Sequence, residues 1–406
     1  MNTLLKMAWR DLGRNRRRSF FSALALGVGM ALLLFIASFI EGEMRGSMES
    51  TIKLSSGHLQ IRVKTYTEDK TSLAFEDLIE NPERIAAQVA ALPPVRAATP
   101  RLYASGIISK GSDIVGVRVV GVDPTSPANA PFRDGIVNGG YLNPDDRDGI
   151  LIGQELAKKM RLASGDSINL LINTSNGDVD EQMFTIRGIF YTNAPGIDEF
   201  YALMPISKAQ AITRAPNRAS TIFVLLQDRF QTPAVVNTLQ TSQYKVWTFD
   251  ELNPLYVQTE QLYTGYIFLI YLIVLAITAA VIVNTLIMAV FERTREIGIL
   301  AAIGMKGWRI MTMFFVESSL LAVGGILIGL ALGCVTVWVT SQTGIFIGNM
   351  GVSGLLIGER IFPFLTLEDT ITLTGMAFVI TLLAGLYPAL LAAQMEPVTA
   401  MRGGKN

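Results

Sequence analysis

Apolar residues along this chain are gathered into a few uninterrupted runs. Phe20 to Ile40, Ile267 to Val290 and Ile371 to Ala393 carry no charge, and Ile310 to Trp338 carries only Glu317. Crossing ~30 Å of hydrocarbon as a helix takes about 20 residues, because lipid offers no partner to an open backbone group. The pattern therefore predicts a membrane protein with four transmembrane α-helices, one N-terminal and three C-terminal. The long segment between the first and second runs has a different rhythm. His58 to Lys64, Ile114 to Val122 and Ser167 to Ile172 alternate as strands do, whereas Asn81 to Ala91 and Gln154 to Arg161 have helical spacing. The stretch GILIGQELAKKMRLASGDSINLL (residues 149–171) reads as strand, helix, Gly-Asp turn and strand. A large α+β domain is expected there, big enough to bury its own core.

Charge sets the orientation. Lys6, Arg10, Arg14 and Arg16 to Arg18 precede the first run, Arg293, Arg295, Lys306 and Arg309 lie between the second and third, and Arg402 and Lys405 are in the tail. The loop from Ser341 to Asp369 has Arg360 as its one basic residue. Short basic flanks stay in the cytoplasm, so both termini are expected there, in a bacterial inner membrane, with the α+β domain in the periplasm. The expected organisation is a cytoplasmic N-terminal segment at 1–18, spans at 19–41, 264–291, 309–340 and 370–393, the periplasmic domain at 42–263, a cytoplasmic connection at 292–308, a periplasmic loop at 341–369 and a cytoplasmic tail at 394–406. The first span lacks a small-residue cleavage site and is read as a retained anchor. The leader before it is either a short interfacial helix or a basic stretch of topological value alone.

Composition removes several function classes. Basic and acidic residues balance at 34 each, which gives no electrostatic reason for a nucleic-acid partner. With one cysteine, Cys334, and one histidine, His58, neither an internal disulfide nor a transition-metal centre is expected. No phosphate loop, zinc helix or nucleophile elbow is present, so catalytic residues, metals and bound cofactors are not expected. The acidic pairs Asp145-Asp146 and Glu68-Asp69 read as solvated loop charges.

The informative stretch is FERTREIGILAAIGMKGWR (residues 291–309), in the expected cytoplasmic connection. Ile297, Leu300, Ala301 and Gly304 recur at helical spacing, so a short amphipathic helix could present Ile299, Ala302 and Ile303 to a partner or rest passively on the bilayer.

These residues resemble the signature of the FtsX/MacB/LolC-LolE permeases, the transmembrane subunits of type VII ABC transporters. YPALLAAQMEPVTAMR (387–402) is similar to the closing pattern of that family, and AWRDLGRNRRR (8–18) fits its start. The resemblance implies a dimer of permease subunits, two copies of this chain or one with a homologous permease, bound to a dimer of cytoplasmic ABC ATPases that bind the ATP and move the outside domains mechanically. It makes the connection a coupling helix and implies ATPase-coupling roles for Glu292, Arg293, Arg295, Glu296, Ile299, Ile303 and Gly304.

Gly325, Gly329 and Gly333 form a small-residue repeat suited to helix packing, either across a dimer or within one subunit. Glu317 is either mechanistic or snorkelled to the interface. IRGIFYTNAPGIDEFYALMPISKAQ (186–210) is similar to the LolC/LolE version of that region, where an exposed hairpin engages a periplasmic carrier. Asn193, Pro195, Gly196 and Asp198 are its counterparts here, as a partner hairpin or a plain connecting loop. The first span lacks the Phe-Ile-Ser-rich entry of that branch. The resulting expectation is a mechanotransmission permease that extracts lipoproteins or other amphiphiles from the outer leaflet, in contact with membrane lipid. The alternatives are MacB-like efflux through a periplasmic adaptor, FtsX-like signalling to a cell-wall hydrolase, and a membrane-bound enzyme. An outside domain of roughly 220 residues favours cargo handling over signalling.

Overall fold

The computed structural model of the chain describes Arg10, Gly13, Arg14 and residues 16–66, 73–239, 244–348, 356 and 358–395. Most of the leader, residues 396–406 of the tail and the Glu68-Asp69 pair lie outside the described residues. The chain forms two compact units, one made of residues 1–44, 261–345 and 361–406 and the other of residues 45–260 and 346–360.

Helices α1 (Arg16–Thr51), α2 (Pro254–Glu292), α3 (Thr294–Ala302), α4 (Gly307–Thr343) and α5 (Leu367–Ala393) carry the first unit. All but α3 are long and apolar enough to cross a membrane. These four outrun the apolar runs that predicted them, α5 by starting at Leu367. Helix α1 continues to Thr51, α2 starts at Pro254 and α4 ends at Thr343, because backbone hydrogen bonding does not stop where hydrophobicity does. Gly304 (φ +94°) and Gly344 (φ +66°), in the left-handed region open to glycine, follow α3 and end α4. Thr366 starts α5 by accepting the Asp369 N–H at 3.0 Å. The core of the unit joins Met30, Leu33 and Leu34 of α1 to Leu275, Ile326 and Leu373.

The second unit is built on a ten-stranded mixed sheet. Its strands are β1 (Leu59–Val63), β3 (Val95–Lys110), β4 (Asp113–Val122), β5 (Ile136–Gly139), β6 (Gly149–Gly153), β7 (Ser167–Asn173), β8 (Val179–Phe190), β9 (Tyr201–Pro205), β11 (Thr221–Leu226) and β12 (Tyr244–Thr248), with β2 (Ile79–Glu80) and β10 (Arg218–Ala219) paired apart. The order is β12-β1-β11-β3-β4-β9-β6-β8-β5, and β7 bridges β3 and β8. The long strand β3 pairs with β11 over its first half and with β4 and β7 over its second. Two apolar clusters follow from that division, one around Ile108, Ile150, Leu156 and Phe184 and one around Leu59, Ile79, Val89 and Val224. Arg101 is buried and hydrogen-bonded at both of its terminal nitrogens. It donates to the Leu54 carbonyl at 2.9 Å and to Asn129 Oδ1 at 3.0 Å, and its guanidinium lies 3.6 Å from the Phe223 ring centroid.

Candidate functional site

The charged and apolar connection folds as α3, set off from α2 by a single non-helical residue, Arg293 (φ −106°, ψ 14°). Thr294 Oγ1 donates to the Phe291 carbonyl at 2.8 Å at this break. Helical spacing then sorts the side chains. Ile297 and Gly298 face inward, Ile297 within a cluster that includes Val290, Ile310, Phe314 and Ala389. Glu292, Arg295, Glu296, Ile299, Ala302, Ile303 and Gly304 are exposed. Ile299 is 47% and Ile303 76% exposed, which leaves an apolar ridge edged by charge. Arg14 adds to that edge, because its Nη2 donates to both Glu296 carboxylate oxygens at 2.9 and 3.0 Å. Such an exposed pair contributes at most about 1 kcal/mol.

Arg293 does not belong to this surface, contrary to the role the resemblance implied. Its side chain is 4% exposed and pairs with Glu317 of α4, itself 3% exposed, at 3.4 Å between Nη1 and Oε2. A charge in an apolar interior needs an opposite charge, and the break before α3 turns Arg293 inward to supply one. Glu317 is therefore buried and paired, not snorkelled.

The glycine repeat is occupied within the subunit, against α1. A Cβ built at Gly325 would lie 2.6 Å from Leu26, at Gly329 2.5 Å from Met30 and at Gly333 2.7 Å from Leu34. From the other side, a Cβ at Gly27 would meet Ile328 at 2.8 Å and the Gly325 carbonyl at 3.1 Å. Helices α1 and α4 thus approach until only glycine fits. Gly385 of α5 is in the same relation to Ser318 of α4.

The expected hairpin at 193–198 is instead a helical turn. Asn193 takes a left-handed φ of 58°, and Pro195–Phe200 is helical with proline at its first position, where a missing N–H costs nothing. Asp198 is 1% exposed and accepts the Thr192 N–H at 2.9 Å and hydroxyl at 2.8 Å. Burial raises its pKa to about 6 in spite of these bonds. The turn also receives Leu356, Gly358 and Glu359 of the chain's own later segment. The Glu359 N–H donates to Asn193 Oδ1 at 3.0 Å, and Tyr191 Oη donates to the Glu359 carboxylate at 3.0 Å. Burial, then the carboxylate, push the Tyr191 hydroxyl to about 12. Asn193 and Asp198 are thus engaged internally.

Sequence reasoning missed Arg14, Gly27 and the 346–360 segment. Gly27 and Gly29 in the first span were a visible signal. Nothing local marks Glu359 as a partner of residues more than 160 positions away. Among the described residues, no cluster of three or more His, Cys, Asp or Glu could hold a metal ion.

Two family models match the chain, the MacB-like periplasmic core domain over residues 19–242 and the FtsX-like permease C-terminal over residues 268–397. The chain is 24% identical to the lipoprotein-releasing system transmembrane protein LolE of Haemophilus influenzae, over 99% of each chain. It is 23% identical to the lipoprotein-releasing system transmembrane protein LolC of Neisseria meningitidis, over 97% of this chain and 98% of that one. Against the macrolide export ATP-binding/permease protein MacB of Acinetobacter baylyi it is 21% identical, over 99% of this chain but 59% of the other.

Proposed function

The chain belongs to the FtsX-like permease family with a MacB-like periplasmic core domain, and from this premise we propose that it extracts lipoproteins or other amphiphiles from the outer leaflet of a bacterial inner membrane. Membership makes it an ABC transporter permease, a membrane protein with a periplasmic domain. The observation that carries the mechanism is the exposed ridge Ile299, Ala302 and Ile303 on α3, between two helices long enough to span the bilayer. A cytoplasmic ABC ATPase dimer seats this ridge in a groove, as amphipathic helices are commonly held. Nucleotide binding shifts α3, and α2, which runs from Glu292 to Pro254, carries the shift toward the periplasmic domain.

The topology this requires has internal support. Residues 346–360 belong to the same compact unit as residues 45–260, so the loop after α4 lies on that domain's side. One crossing separates each from α3, which supports reading α3 as cytoplasmic, in keeping with its basic flanks. The most apolar window of α2 is 17% buried, which leaves room for a second permease, identical or homologous. Lipoprotein release is favoured because LolE and LolC match along their whole lengths, whereas the match to MacB takes in 59% of that protein.

The test is copurification of the chain with its ATPase, followed by mass spectrometry of bound lipids and lipoproteins. Recovery of an ATPase together with acylated proteins supports the reading. A chain that functions with no nucleotide-driven companion would end it.

A further inference from the structure

The periplasmic unit contains a groove of about 650 Å³, within the ~300–1,000 Å³ usual for ligand sites. Met48 of α1 and Ile52 just after its end form one wall, Val236 of the helix Thr232–Leu239 another, and Tyr256 in the opening turn of α2 a third. Phe230 lines the groove 78% exposed, with the Arg229 guanidinium 5.1 Å from its ring centroid. The remaining lining is polar and carries both signs of charge, Arg229 and Glu260 among them. His58 also lines it, with its Nδ1 accepting the Leu226 N–H at 3.2 Å.

We propose that this groove holds one acyl tail of a membrane amphiphile whose head carries ester or amide groups. Apolar walls suit the tail. Donors and acceptors of both signs suit a head that is polar without a dominant charge. The source of the ligand follows from the walls, because α1 and α2 are each continuous with a membrane-crossing run, so a molecule leaving the bilayer surface passes their outer ends. The same helices carry the proposed ATPase stroke, so the stroke would reshape the groove. This inference rests on the permease reading and adds to it a place for the substrate's tail.

The experiment uses the full-length chain in nanodiscs with two photoreactive probes, a diacylglyceryl lipopeptide and a phosphatidylethanolamine, each with a diazirine in one acyl chain. Adducts are mapped by peptide mass spectrometry. Adducts on peptides covering 229–256 are expected, and Val236→Trp, which denies the tail about three methylenes, should reduce them on the order of fifty-fold. Phe230→Ala, at a surface position that cannot compromise folding, should reduce them roughly tenfold. Labelling by the lipopeptide in excess of the phospholipid supports the site with cargo as its source, and the reverse supports it with bulk lipid. Adducts confined to the spans, or unchanged in both variants, would overturn the assignment. ATPase copurification is scored separately, so failure of the groove and failure of the permease reading give different results.

Discussion

Removing one member of the Arg293–Glu317 pair should do more damage than removing both. The two groups are 4% and 3% exposed and 3.4 Å apart. At an effective dielectric near 20, Coulomb's law gives an attraction of about 5 kcal/mol, set against a desolvation cost of several kcal/mol for each ion. The intact pair is therefore near break-even. Glu317→Leu removes the carboxylate that pairs with the buried guanidinium, and Arg293→Met removes the guanidinium that pairs with the buried carboxylate, each costing about 3–5 kcal/mol. The double variant removes both charges of this pair and should lie within about 1–2 kcal/mol of the native protein. Equilibrium unfolding of the four proteins in the same lipid environment measures this as a double-mutant cycle, with an expected coupling above about 3 kcal/mol. Because Arg293 stands at the break between α2 and α3, the double variant should also lose nucleotide-stimulated turnover while remaining folded. Single-variant losses that simply add would refute the reasoning, since they would mean that the two charges are solvated separately.

Changing Ile299 and Ile303 together to Asp should leave insertion and stability within about 0.5 kcal/mol, as both are exposed. ATPase binding should weaken by at least roughly thirty-fold, the loss of a 2 kcal/mol anchor, and normal assembly with stimulated turnover would count against the docking role. Gly329→Ala, whose Cβ would meet Met30 at 2.5 Å, should cost about 1–3 kcal/mol, whereas Gly324→Ala, with nothing within 4 Å, should not; equal thermal shifts would show that α1 and α4 do not pack this closely. For Asp198, a folded pKa of about 6 against 3.8 unfolded means that the folded state binds the proton more tightly. Its contribution is full below pH ~4 and lost as pH rises through 6, a difference of roughly 3 kcal/mol. Denaturation of Asp198→Asn and the native chain across that range should therefore show the variant gaining by about this amount, and a constant difference would refute the buried-carboxyl account.

What the sequence made legible, and what it did not, follows from the range of the physics involved. The four long helices were visible because burial in lipid demands an unbroken apolar run, a signal contained in some 20 adjacent residues. Strands such as β1, β4 and β7 were visible because alternation is equally local. Arg293 was misread because the residues around it, Glu292, Arg295 and Glu296, are solvated, and one break in the helix separates an inward cation from outward ones. The 193–198 turn was misread because proline followed by glycine starts a helix as readily as a reverse turn, and the choice was made by contacts with Gly153, Leu356, Gly358 and Glu359. The glycine repeat was legible as an interface but not as to its partner, since small residues state that something comes close and not what. Once Gly27 on α1 and the stripe on α4 are spent on each other, they are unavailable for a dimer. On the proposed function, the largely uncovered α2 is the surface offered to a second permease, and it is the same helix that leads from α3 to the wall of the groove.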